Sequence, residues 1–351
     1  PGSVLNYTLV GFFDHHAAEV FFQTLAVFAF IGALGVAQRE QPIWELVVDR
    51  DFEALRTPLL YSVGAGIAAA LYMWTWPPGI LLVGFTGIYF AIKLTSDVYH
   101  NESPEPIAFV GAVSMTVTGL LMFVPLTQFS IGGATDYSLL QVILPLGVGM
   151  GCVFLAFLAR QWEARNLSVS LYPSAVGGIL AVLFGISTLV IPGTVRSITR
   201  QFLNTVGFSA NAGTRTIGEA QPFLSQGSPF SVIYSEYGLA FFAALVAALI
   251  VLSRPLIRSD DTNDTIYVIG SLVTVGLIYL ASPVFDSIAG VVGTDWQVLG
   301  LIIATGLLIG ATLRHQYDAG ELYALVWAAF ITSAAFTQVR FNYYLAIVVA
   351  V

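Results

Sequence analysis

Gly11-Phe12-Phe13-Asp14-His15-His16-Ala17-Ala18-Glu19 sets a carboxylate and two imidazoles directly ahead of a long, mostly apolar run. Asp14 and His16 are two positions apart, close enough for a turn or a helix start to aim both at one ion. A mixed carboxylate and imidazole set suits Mn²⁺ as well as Mg²⁺. Ionisable groups at the mouth of a membrane helix are costly to keep dry, which makes them a functional signal. The same letters also spell a helix start, with Asp14 as N-cap and the imidazoles resting at the interface. Capping and ligation are compatible. A metal site begun at Asp14 needs its other half from far along the chain, on the same side of the membrane.

Two later stretches could supply it. Thr214-Arg215-Thr216-Ile217-Gly218-Glu219-Ala220-Gln221-Pro222 contains the only acidic residue between Pro192 and Phe230. Thr216-x-x-Glu219 is also a capping-box spelling, and taken alone that reading would suffice. Arg340, in Thr337-Gln338-Val339-Arg340-Phe341-Asn342-Tyr343-Tyr344, interrupts two apolar runs. It is either an interfacial anchor that snorkels toward headgroups or a phosphate clamp, since guanidinium binds phosphate in bidentate fashion and stays charged.

The elements that must position these groups are membrane helices. Of 351 residues, 57 % are hydrophobic and 10 % charged, which excludes a soluble domain of average make-up and points to an all-α, polytopic transmembrane bundle. Only 13 basic residues stand against 21 acidic ones, and Lys93 is the only lysine, which argues against a nucleic-acid partner. Cys152 is the only cysteine, so no intrachain disulfide forms. Spanning about 30 Å of hydrocarbon takes roughly 17 to 25 residues. Ten complete spans fall near 17–37, 58–76, 79–95, 106–125, 138–159, 171–191, 237–253, 265–283, 296–313 and 321–337, and an eleventh begins at Phe341. The chain opens on Pro1 and stops within that apolar run, so a fragment of a larger protein is expected, a single transmembrane domain over 1–351.

Sidedness follows from charge. With the Asp14 end outside, nine of the 13 basic residues fall in cytoplasmic loops, as the positive-inside rule requires. Arg196, Arg200, Arg215 and Arg340 remain outside, and an anionic ligand is the simplest reason. Three of them share the long segment 192–236, whose many glycines and weak periodicity read as an extended external loop. Span parity places this loop, Asp14 and Arg340 on one face. Gln38 to Pro58, on the other side, reads as an interfacial amphipathic helix.

At these three points the sequence resembles the catalytic subunit of archaeal oligosaccharyltransferase, a membrane glycosyltransferase of the GT-C type. Asp14-x-His16 is similar to the second of the family's acidic metal motifs, Thr216-Ile217-Gly218-Glu219 to the Thr-Ile-x-Glu motif of its long external loop, and Val339-Arg340-Phe341 with Tyr343 and Tyr344 to its late Arg-Phe segment. Four spans between Glu219 and Arg340 suggest an added hairpin, and the first acidic motif and the C-terminal acceptor motif are absent.

The resemblance implies transfer of an oligosaccharide from a lipid-linked dolichyl phosphate donor to the Asn side-chain amide of an acceptor polypeptide bearing N-x-S/T, metal-dependent and inverting, on the extracytoplasmic face of an archaeal plasma membrane. It implies a divalent cation, Mn²⁺ or Mg²⁺, on Asp14, His16 and Glu219. Asp14 and Glu219 become catalytic, and Arg340, His15, Arg215 and Thr216 substrate-binding. The alternatives are another polyprenyl-phosphate-sugar transferase, such as an O-mannosyltransferase, and a secondary transporter, whose binding groups belong near mid-membrane on paired repeats.

Overall fold

The computed structural model describes residues 15–39, 43–133, 135–206, 221, 228–259, 261–280, 287–291 and 296–350. They form α1 (His15–Ala37), α2 (Ile43–Val48), α3 (Phe52–Thr75), α4 (Ile80–Tyr99), α5 (Glu105–Leu121), α6 (Leu139–Ala164), α7 (Tyr172–Val190), α8 (Pro192–Val206), α9 (Pro229–Tyr237), α10 (Ala240–Ile257), α11 (Thr262–Leu280), α12 (Trp296–Arg314), α13 (Ala319–Thr337) and α14 (Asn342–Ala350). No strand occurs among the described residues, only an isolated bridge between Gln128 and Ser138.

Among the described residues seven helices are long and apolar enough to cross a membrane, and four shorter apolar helices accompany them, so each of the eleven apolar runs has its helix. Exposed side chains such as Phe21, Leu60, Phe157, Phe184 and Val246 supply the surface that lipid must cover. The chain is an integral membrane protein.

Several boundaries depart from the sequence expectation. Helix α3 starts at Phe52 because Asp51 caps it, accepting from the Ala54 amide at 3.1 Å. The interfacial helix expected over Gln38 to Pro58 accordingly shrinks to the six residues of α2. Helix α5 stops at Leu121 rather than 125, because Pro125 bars helical geometry at Val124. The segment 192–236, expected as open loop, is helical at both ends, in α8 and α9.

The chain divides into two compact units, one built on Tyr7–Thr199 with Asp318–Trp327, the other on Arg200–Tyr317 with Ala328–Val351. In the former, α1 packs on α3, α3 on α5, and α6 on both α4 and α5. Small residues permit the approach: a Cβ on Gly66 would run into the Ser114 carbonyl, and one on Gly111 into the Cys152 sulfur. Tyr323 fills the middle, against Phe30 (5.5 Å between centroids), Phe85 (6.0 Å) and Tyr89 (5.0 Å). Its hydroxyl meets Thr86 Oγ1 at 3.1 Å, and Tyr89 donates to the Ala319 carbonyl at 2.9 Å.

Polar ties close the helix ends as alternating spans demand. On the side read as cytoplasmic, Arg160 of α6 pairs with Glu105 of α5 and approaches Glu45 of α2 at 3.6 Å. On the opposite side, Tyr137 donates to the Trp74 carbonyl, and burial pushes that phenol above its ordinary range. In the other unit, α10 packs on α14 and α11, and α11 on α12. There Asp264 gathers Arg314 Nη1 at 2.9 Å, His315 Nε2 at 2.6 Å and Ser259 Oγ at 2.6 Å, fastening the end of α12 to the start of α11.

Candidate functional site

The buried face of α1 runs through Glu19, Gln23, Ala26, Val27, Phe30, Ala33, Leu34 and Ala37, spaced three and four apart. At its N-terminal end this stripe turns polar. Glu19, at 0 % exposure, occupies the position where a deeper turn of the helix carries alanine or leucine. Helical side chains lean toward the N-terminus, so Glu19 reaches back one turn to His16, and its Oε2 lies 3.4 Å from His16 Nδ1. The His16 side chain is partly open, at 16 % exposure. A partly open imidazole backed by a buried carboxylate is the donor chemistry that a divalent cation takes. In this respect the residues present fit the expected metal.

Asp14, Arg215, Thr216 and Glu219 lie outside the described residues. His15 opens α1, and its side chain is outside them too. Among the described residues no three His, Cys, Asp or Glu side chains gather in a way that would hold a metal ion. The expected set of Asp14, His16 and Glu219 has one described member.

Arg340 sits on a single 3₁₀ turn, Val339–Phe341, between α13 and α14. Its guanidinium is exposed and lies 5.0 Å from the centroid of the Phe341 ring, with no carboxylate at ion-pair distance among the described residues. The turn beneath it is pinned. Phe341 and Tyr344 are buried with their rings tilted against each other at 5.9 Å between centroids, Tyr343 and Tyr344 lie likewise at 4.6 Å, and Tyr237 donates to the Asn342 carbonyl at 2.9 Å.

Sequence reasoning missed what the same turn does for segment 192–236. The Val339 amide donates to the Gln221 carbonyl at 2.9 Å. Gln338 Nε2 donates to the Asn204 carbonyl at 2.7 Å, and Ser333 Oγ to the Val206 carbonyl at 2.7 Å. Both the end of α8 and the residue two positions after Glu219 are thus fastened around Arg340. A signal for the docking helix was legible: Val195, Ile198, Phe202 and Val206 recur at helical spacing, with Arg196 and Arg200 four apart.

No family model matches the chain. Along its whole length it is 49 % identical to the dolichyl-monophosphooligosaccharide–protein glycotransferase AglB of Haloferax volcanii, of which it covers 34 %. The structure of the archaeal oligosaccharyltransferase AglB from Archaeoglobus fulgidus, in complex with an inhibitory peptide and a dolichol-phosphate, resembles it with a TM-score of 0.70 at 20 % identity. That match covers 100 % of this chain and 33 % of the other. A further structure of the A. fulgidus oligosaccharyltransferase, in complex with Zn and sulfate, matches with a TM-score of 0.51 at 16 % identity, covering 99 % and 35 %.

The fold is that of a polytopic all-helical membrane domain, shared with part of the A. fulgidus structure. The chain is thus similar in sequence to the Haloferax glycotransferase and in fold to the Archaeoglobus oligosaccharyltransferase, and it spans about a third of the length of each.

Proposed function

We propose that this chain is the membrane part of an enzyme that moves an oligosaccharide from a lipid-linked dolichyl phosphate to the Asn amide of an N-x-S/T acceptor, at the extracytoplasmic face of an archaeal plasma membrane. The observation that carries the reading is the bond from Val339 to Gln221, which ties the chain just beyond Glu219 to the turn that presents Arg340. A carboxylate-bearing loop fastened beside an exposed guanidinium suits a reaction that must handle an acceptor amide and a lipid phosphate together. The ligands of the A. fulgidus structures, a dolichol-phosphate and a peptide in one and Zn and sulfate in the other, support the same chemistry.

An amide nitrogen is a poor nucleophile because its lone pair is delocalised, so the site must localise that pair and ease departure of the phosphate. Glu219 contacts the acceptor amide or completes the metal shell from the loop. Arg340 grips the lipid phosphate, helped by His15, while Arg215 and Thr216 line the loop side of the substrate. Asp14 and His16 hold a divalent cation, Mn²⁺ or Mg²⁺. When bound, that ion offsets negative charge growing on the leaving phosphate. Attack from the face opposite the phosphate inverts the anomeric carbon without a glycosyl-enzyme intermediate.

The test uses the full-length enzyme, a lipid-linked oligosaccharide and a peptide carrying N-x-T. Asp14→Ala is expected to abolish glycopeptide formation at every Mn²⁺ concentration while membrane insertion is retained. Near-normal turnover at saturating Mn²⁺ would remove the metal role.

A further inference from the structure

Glu19 takes no part in the group transfer itself, yet its placement is unusual. A fully buried carboxylate in a membrane helix carries a desolvation cost of several kcal/mol, on the order given by general estimates, unless it is paired and hydrogen-bonded. It lies on the core-facing stripe of α1, directly above Gln23 and Ala26, so neither lipid nor bulk water solvates it. Within α1 its carboxylate turns to His16, one turn back, and meets the ring at Nδ1, 3.4 Å away. That contact engages the inner nitrogen and directs Nε2, on the other edge of the ring, away from Glu19.

We infer that Glu19 is a positioning residue for the metal site: its carboxylate accepts the Nδ1 proton of His16, fixes the tautomer, and presents Nε2 to the ion. This rests on the proposal that His16 is a metal ligand. The physics is that of imidazole ligands generally. The nitrogen away from the metal donates to a carboxylate or carbonyl, which fixes ring orientation and raises the basicity of the ligating nitrogen. The one-turn spacing His16-x-x-Glu19 builds that support into the ligand's own helix, so ligand and orienting group cannot drift apart while α1 stays folded. Burial serves the same end. With the carboxylate held at 0 % exposure and the imidazole at 16 %, water competes little for the Nδ1 contact while the ring stays reachable.

The experiment measures Mn²⁺ alone binding to the full-length enzyme in detergent, by electron paramagnetic resonance, for the native protein and for Glu19→Gln, Glu19→Leu, His16→Ala and Asp14→Ala. Glu19→Leu is expected to weaken Mn²⁺ affinity about 10- to 100-fold, the usual effect of losing such a partner. Nitrogen modulation from a bound imidazole should fall with it. In Glu19→Gln the amide oxygen still accepts from Nδ1 but no longer adds negative charge, so the loss should be smaller and the nitrogen signal retained. The apparent Mn²⁺ constant for glycopeptide formation should rise in step, with turnover recovering at saturating metal. Should Glu19→Leu fail to fold, Glu19→Gln decides alone. Native Mn²⁺ affinity in the folded Glu19 variants, with His16→Ala impaired, would overturn the positioning role and leave the metal reading standing. Native affinity in both His16→Ala and Asp14→Ala would overturn the metal reading itself, and this inference with it.

Discussion

Val339 donates its backbone N–H to the carbonyl of Gln221 at 2.9 Å, so the residue before Arg340 holds the chain two positions beyond Glu219. Proline can remove that one bond and little else. Gln338 is already extended, with φ −144° and ψ 128°, as the residue before a proline must be, and Val339 is the first residue of a 3₁₀ turn, where a proline ring is tolerated. Val339→Pro should therefore cost only the net value of one hydrogen bond, about 1 kcal/mol, or a factor of about five in the docked population. Hydrogen exchange around Gln221 should quicken by about that factor, and the acceptor-peptide KM of the full-length enzyme should rise with it. Unchanged exchange would mean the tether holds nothing.

Arg340 should act through its fork as well as its charge. The guanidinium is exposed over the Phe341 ring and meets no carboxylate among the described residues, so its donors are available to an anion. Arg340→Lys keeps the charge and loses bidentate geometry. The expected order of donor KM is native, then Lys, then Ala, with Ala raised on the order of tenfold or more, given the strength of charge-assisted hydrogen bonds. Peptide KM should move less. A donor constant unchanged in both variants would favour the interfacial-anchor reading.

Apolar run length made the membrane helices legible, because hydrocarbon thickness is a constraint that each run must meet alone. The ends were less so. Glu53 and Arg56 lie in the first turns of α3, outside any apolar window, and only the cap at Asp51 reveals that the helix has begun. Helix α8 hid for a similar reason: Pro192-Gly193 looks like a break, yet proline at a first helical position starts a helix, and the apolar residues behind it cover one face only. Of the site, the residue types were readable, while Glu19 was not. Its letters fit an N-cap pattern, and nothing short of burial and the 3.4 Å approach to Nδ1 separates a capping-region acid from one that orients an imidazole.

Gly66 should tolerate no side chain. Its carbonyl accepts from Thr118 Oγ1 at 3.1 Å, and a Cβ there would collide with the Ser114 carbonyl of α5, which is backbone and cannot swing away. Gly66→Ala must separate α3 from α5, at about 1 to 3 kcal/mol, the usual range for overpacking. Gly64, on the same helix with open space around its Cβ position, is the control. Gly64→Ala should leave thermal unfolding of the detergent-solubilised protein unchanged or raised while Gly66→Ala lowers it. Equal midpoints would dismiss the close α3–α5 seam.

Lys93 and Asp97 form a pair of charges buried within α4, 2.6 Å apart and at 1 % and 4 % side-chain exposure. Buried ion pairs inside a membrane protein often mark a transport or proton path, so this pair is where the transporter alternative would live. A structural role gives a different mutational pattern. Lys93→Met strands the Asp97 carboxylate and should destabilise by about 3 to 5 kcal/mol, whereas Lys93→Met with Asp97→Leu removes both charges and should recover most of that loss. Glycopeptide formation by the double variant of the full-length enzyme, assayed below its unfolding temperature, should stay within a few-fold of native, since neither charge lies on the face that carries His16 by span parity. A double variant that is stable yet inactive would show that the pair serves the reaction and would reopen the question of what crosses this membrane.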